Sequence, residues 1–326
     1  MDTAKLIRTL KANRATKTQA ELAIMWQRDP RMAVAWQAAM LANGKRKLLS
    51  VNQAKLDKSG KTIGVLTVGL TMSPADEATP FITGRHAGRD LTIWEPTKKA
   101  PAYNACAGST AACRAVCVGN ATGQAAISAA MPFDGHRLAR IGRSVLRHFC
   151  RDLFDARERS ELASARRKAD RLGYGLAYRP DVATDHQDGR KGSFHPVIGP
   201  RMPVDMNYGY SAVSAAMRRD DGTLRAFSRK DTERSDGLAR AWVAKGYPVA
   251  VVFAVAKGEP LPKTWGMAPV IDGDLHDVWP MQDHPTTGEP ISESYGQHGV
   301  VVGLRAKYAT IAQRDTLISS GFAVAA

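Results

Sequence analysis

No stretch of this 326-residue chain approaches the roughly 20 apolar residues that a bilayer-crossing helix needs. That excludes a helical membrane protein. The opening MDTAKLIRTLKANRATK lacks the uninterrupted apolar core and small-residue cleavage site of a secretory signal, so the reading is an intracellular chain with reduced thiols. Neither GxGxxG nor GxxxxGKS/T occurs, which leaves Rossmann and P-loop nucleotide sites without support. Paired CxxC elements and internal repeats are missing too. Acidic side chains are scarce: 31 against 46 Lys and Arg, a net charge of +15. An excess of that size favours polyanions, because each Lys or Arg that neutralises a phosphate releases condensed counterions. DNA is therefore the expected partner, and no membrane is.

What is present is enough apolar residue, 44%, to bury a full core. Residues 1–55 read as a basic helical extension, since TQAELAIMWQRD and PRMAVAWQAAML repeat apolar residues at helical spacing. Residues 56–326 read as an α/β catalytic domain. Strands are expected at TIGVLTVGL and DLTIWEP. A long helix is expected over Asp134–Leu172, with Leu138, Ile141, Val145, Phe149 and Leu153 on its apolar face. Beyond Tyr174 the text alternates. YGLAYR, MPVDMNY, TLRAFSRK, YPVAVVFAVA and GVVVGLRAK are strand-like, with SAVSAAMRR, SDGLARAWVAKG and a segment near YATIAQRDTLISSG helical. Such alternation predicts a largely parallel sheet, closed as a TIM-like or incomplete barrel.

Four constellations carry chemistry. NACAGSTAACRAVC (104–117) places Cys106, Cys113 and Cys117 in a C-x6-C-x3-C spacing. Three thiolates there hold three corners of a zinc or [4Fe-4S] site, the fourth coming from His136, His148, Cys150 or a non-protein group. The competing reading is a small-residue helix whose cysteines simply pack. Asp181 and Asp185 in RPDVATD follow a strand, where a carboxylate serves as nucleophile or general base, or merely caps a turn. VIDGDLHDVW groups Asp272, Asp274, His276 and Asp277, a set suited to a hard cation or to acid–base work, or to a plain turn. Arg140, Arg143, Arg147 and Arg151 recur at spacings of three or four after His136, and the reading makes them a basic stripe that tracks a phosphate backbone. Ser228, Arg229 and Lys307 follow strands and are expected to meet phosphate, while Tyr208 and Tyr210 are core residues or stacking surfaces for a base.

Several motifs in this order, namely CVGNATG after the cysteines, VATD, YGYS, FSRK, VIDGDLHD and GLRAK, resemble a phage family described as gene-product-88-like, over Thr62 to Val324. The resemblance implies phage origin, action in the cytoplasm of an infected bacterial host, and a barrel-like α/β fold. It also points toward the phage transglycosylases that exchange guanine in DNA for a 7-deazaguanine. Those enzymes use an Asp nucleophile, an acid/base Asp and a three-cysteine metal site. The resemblance then makes Asp185 the nucleophile, Asp181 or Asp274 (beside His276) the acid/base, the cysteines the metal site, and DNA plus a small 7-deazapurine the substrates. The cysteine spacing departs from the familiar zinc site, which is tighter and has a histidine downstream. Two other readings stay open: a replication-initiating nickase attacking through Tyr208 or Tyr210, and a non-enzymatic, metal-stapled DNA-binding protein.

Overall fold

In the computed structural model, the described residues are 17–50, 62–74, 77–82, 84–86, 94–96, 104–106, 108–117, 130–131, 133–185, 204–218, 223–256, 258–275, 278–308 and 310–324. The expected boundary at 55/56, the GNATG run, His276 and Asp277 lie outside them. Among the described residues, no helix is long and apolar enough to cross a membrane.

Among the described residues, nine strands form one sheet. In chain order they are β1 (Leu49–Ser50), β2 (Val65–Leu70), β5 (Gly175–Arg179), β6 (Met206–Ser211), β7 (Thr223–Ser228), β8 (Val249–Phe253), β9 (Thr264–Trp265), β10 (Ala268–Asp272) and β11 (Val301–Arg305). Their spatial order is β1-β2-β5-β6-β7-β8-β11-β10-β9. The pairs from β2 through β10 are all parallel, and only the two-residue edge strands β1 and β9 run antiparallel. A separate hairpin pairs β3 (Gly84–His86) with β4 (Trp94–Pro96), the latter inside the expected DLTIWEP strand. The fold is thus mixed α/β with a mostly parallel sheet, and the described strands end at two edges rather than closing into a ring.

Parallel pairing buries both faces, so the central strands are apolar almost throughout, as in the fully buried β2. In-register partners share a face. On one face Leu66, Val68, Leu176 and Tyr178 pack under helices α1 (Lys17–Arg28), α2 (Pro30–Ala42), α5 (Gly135–Phe149) and α6 (Arg151–Leu172). Further along that face, Phe227, Val249, Val251 and Val301 pack under α7 (Glu233–Ala244). The expected N-terminal extension is in part core: α2 lies on α5 and buries Val34, Ala38 and Leu41.

The opposite face holds Ala177, Tyr208, Ala226, Ala250, Val302 and Ile271, covered by Trp279 and Ile291 from the irregular segment 278–300. Chain handedness explains this division. From β2 to β8 each strand adds on the same side of its predecessor, so right-handed crossovers put the long helices α5, α6 and α7 on one face. From β10 to β11 the chain steps back one place. A right-handed connection must then cross the other face, where residues 278–300 pack.

Two local expectations are corrected. The single helix over Asp134–Leu172 is two helices broken at Cys150, whose φ of −132° and ψ of 56° are not helical. The break resets the helical phase, so Leu153 points outward, 43% exposed, and Phe154 takes the core position. SAVSAAMRR forms only a 3-10 turn at Ser214–Arg218. α6 ends on Gly173 at φ 66°, a left-handed cap that glycine adopts without steric cost.

Candidate functional site

Because the seven central strands are parallel, their carboxyl ends line one edge, where ligands bind in open α/β sheets. β5 runs into Asp181 and Asp185, β6 into Ser211, β7 into Ser228 and Lys230, β10 into Asp274, and β11 into Lys307. Residues 104–117 cross this edge. Cys106 forms a parallel bridge with Asp185, and the Asp185 N–H donates to the Ala105 carbonyl at 2.9 Å. Gly108 sits so close to β6 that a Cβ there would lie 2.5 Å from that of Ala212. Helix α4 (Ala111–Ala115), capped by the Thr110 hydroxyl, ends against the close of β7 and β8.

The direction of strand connections switches between β8 and β11, the usual place for a ligand crevice. Here Ala112, Val116, Leu317, Phe322 and Ala323 fill it, packing on Val252, Ala254 and Ala306. They come from α4 and from α8 (Ile311–Ser319) with its following turn. Val324 exchanges backbone hydrogen bonds with Val252 and Ala254, both 2.8 Å, in line with the position β7 has just left. The accessible chemistry is thereby displaced toward β5, β6 and β7.

Asp185 is the centre of that region. Its Oδ1 accepts from the Ser211 hydroxyl and its Oδ2 from the Ala212 N–H, both at 2.8 Å. Burial raises its pKa above the ordinary aspartate value; the Ser211 and Ala212 hydrogen bonds oppose this, the charge of Asp181 adds to it, and Lys230 opposes it. Asp181 is buried at 3% exposure. Its Oδ1 accepts from the Thr184 hydroxyl, while its Oδ2 has no hydrogen-bond partner among the described residues. Beneath lies Tyr178, fully buried, whose hydroxyl donates to Glu158. Burial, then that carboxylate, holds the phenol well above its usual pKa.

The three thiols are spread along the loop. Cys106 Sγ points at the Ala183 carbonyl, 3.9 Å away. Cys113 Sγ lies 3.7 Å from Lys230 Nζ, which also donates to Ser228 Oγ at 3.1 Å. Among the described residues, no three Cys, His, Asp or Glu side chains gather as a metal site. The Lys230 ammonium thus stands beside one of the three thiols expected to hold the metal. Of the expected fourth ligands, burial pushes the Cys150 thiol up and His148 down, and His136 is exposed.

Much of the arginine stripe faces protein rather than solvent. α5 is sandwiched between α2 and the sheet, so its polar stripe faces protein. Arg140 and Arg147 are 5% and 3% exposed. Arg140 pairs with Glu77 at 3.5 Å. Arg143 donates to the carbonyls of Thr71 and Lys47, and burial lowers its pKa to about 10, still fully charged at neutral pH. Arg151 pairs with Asp155 on its own helix. Arg229 is a clamp: its Nε meets Asp236 at 2.7 Å and its Nη1 holds the carbonyls of Gly321 and Phe322. A depression of about 500 Å³ beside it is lined by Asp231, Glu233 and Asp236, a poor setting for phosphate.

Tyr208 is fully buried, and the Tyr210 ring is held against Arg179, 5.0 Å away, and Trp279, with its hydroxyl buried. Neither hydroxyl is placed to attack a phosphodiester. Asp272 and Asp274 serve β11: Asp272 pairs with Arg305 at 2.8 Å, and Asp274 accepts from the Arg305 N–H and pairs with half-exposed Lys307.

Lys230 and Ser211 were missed by sequence reasoning. Strand alternation held the signal for Lys230, since Ser228 and Lys230 share a face while Arg229 takes the other. Compared with known proteins, the chain matches no family model, no curated sequence and no solved structure, so the chemistry of this edge is argued from its own residues.

Proposed function

We propose that the protein is a carboxylate-dependent DNA-modifying enzyme. It exchanges a guanine for a 7-deazaguanine through a covalent intermediate on Asp185. The observation that carries the reading is the Asp185 carboxylate, held in one orientation at the carboxyl edge by the Ser211 hydroxyl and the Ala212 N–H. A nucleophile needs a fixed orientation more than added basicity. In the reaction Asp185 attacks the sugar's anomeric carbon as the bond to guanine breaks, and the departing base takes a proton. The incoming 7-deazapurine then displaces Asp185 and restores the glycosidic bond. Asp181, whose Oδ2 is not committed to a hydrogen bond, is the acid/base candidate. Asp274 is set aside because it is occupied by β11. The target nucleotide must leave the stack to reach such a site. The net charge of +15 supports a polyanion substrate. The shared face of the crossovers from β2 to β8 supports kinship with barrel enzymes.

The test is denaturation-resistant trapping of DNA on the full chain. Wild type gives a DNA adduct that maps to Asp185, and Asp185→Asn gives none. An adduct of unchanged yield in Asp185→Asn overturns the assignment.

A further inference from the structure

The contact between Cys113 and Lys230 admits a chemistry of its own. We propose that these two side chains form a covalent modification site: a peroxide-driven N–O–S bridge that pins the cysteine loop to the end of β7. It does not depend on the proposed base exchange.

Three observations carry it. Sγ and Nζ already lie 3.7 Å apart, room for one bridging oxygen after a small closure. The amine is held there by Ser228 Oγ at 3.1 Å and by the Phe322 ring at 5.6 Å. The sulfur is held by α4, whose Cys113 N–H is capped by Thr110, and Cys113 is half-buried, open to a small oxidant but screened from large thiols.

The oxidant is a hydroperoxide. In the first step the Cys113 sulfur attacks the peroxide, an S–O bond forms as the O–O bond breaks, and sulfenic acid and water result. In the second step the ammonium proton of Lys230 passes to solvent and the N–O bond forms. A second peroxide accepts the two electrons, and the displaced N–H and O–H hydrogens leave in two waters. Overall, thiol, amine and two hydrogen peroxides give the bridge and three waters. A thiol reductant reverses it.

The consequence lies on the neighbouring site. Because Cys106 in the same loop is paired with Asp185, the bridge fixes the cover over the carboxylate on two sides.

The experiment treats the full chain with graded hydrogen peroxide, denatures it without reductant, digests it and identifies joined peptides by mass spectrometry. The expected product joins the Cys113 and Lys230 peptides with one oxygen gained and two hydrogens lost, resists trypsin after Lys230, and disappears on adding dithiothreitol. Lys230→Arg, which keeps the charge, loses the product; far-UV circular dichroism confirms its fold. Recovery of Cys113 as sulfinic acid beside unmodified Lys230 overturns the proposal. So does a disulfide to Cys106 or Cys117, or bound zinc or iron that shields Cys113 from alkylation.

Discussion

Asp185 is held in a setting that disfavours its own charge, and this fixes a pH dependence. A carboxyl whose pKa is raised by folding binds its proton more tightly in the native state. Its contribution to stability is full below the ordinary aspartate pKa and is lost as pH climbs through the raised value. Asp185→Asn keeps an acceptor for the Ala212 N–H and never ionises. At neutral pH it is expected to match or exceed wild type in denaturant midpoint while losing activity, and the gap between the two proteins should close in acid. A variant that is less stable than wild type at neutral pH would show that the charge, not the shape, is what the site needs. At this scale the sequence was half legible. VATD and the cysteines stood out by composition, whereas Ser211 and Lys230 gain meaning only from what pairing sets beside them. The arginines of α5 misled for a related reason. Their spacing specifies a stripe, but not whether water or α2 and the sheet lies against it.

The break at Cys150 decides which side of α6 is structural. Phe154→Ala is expected to cost about 3–5 kcal/mol, the range for emptying a buried aromatic site, whereas Leu153→Ala should fall within about 0.5 kcal/mol of wild type. Chemical denaturation of both variants checks the phase of the helix, and equal losses would restore one continuous helix. The cysteine loop makes a second case. Gly108→Val adds bulk where even a Cβ meets Ala212 at 2.5 Å. It should cost about 1–3 kcal/mol by overpacking and should expose Cys106 and Cys113 to alkylation. Unchanged thiol reactivity would mean that the loop is held elsewhere. Strands such as TIGVLTVGL and YPVAVVFAVA were legible because double burial writes a continuous apolar run. The two edge strands, two residues each, carry no such signature.

On the whole molecule the basic excess should act as a field rather than as a stripe, since Arg140 and Arg147 are buried and Arg143 is committed to backbone carbonyls. Affinity for duplex DNA is expected to fall steeply with salt, yet to be nearly the same in Arg143→Gln where that variant folds, and unchanged in Asp185→Asn. Filter binding across a salt series measures this. A salt slope that drops by about one in Arg143→Gln would return that side chain to the interface. Topology was the least legible level. A single sequence orders strands along the chain and says nothing of β11 stepping back between β8 and β10, because that pairing joins segments far apart.

That interior place of β11 sets a timetable for synthesis. Until Val301–Arg305 leaves the ribosome, β8 and β10 have no strand between them, and each presents an unsatisfied backbone edge to solvent. Between the synthesis of Asp272 and that of Val301 the nascent chain therefore carries two open edges awaiting the same late strand. A released chain that ends before residue 301 should stay dependent on chaperones, whereas the released full chain should not.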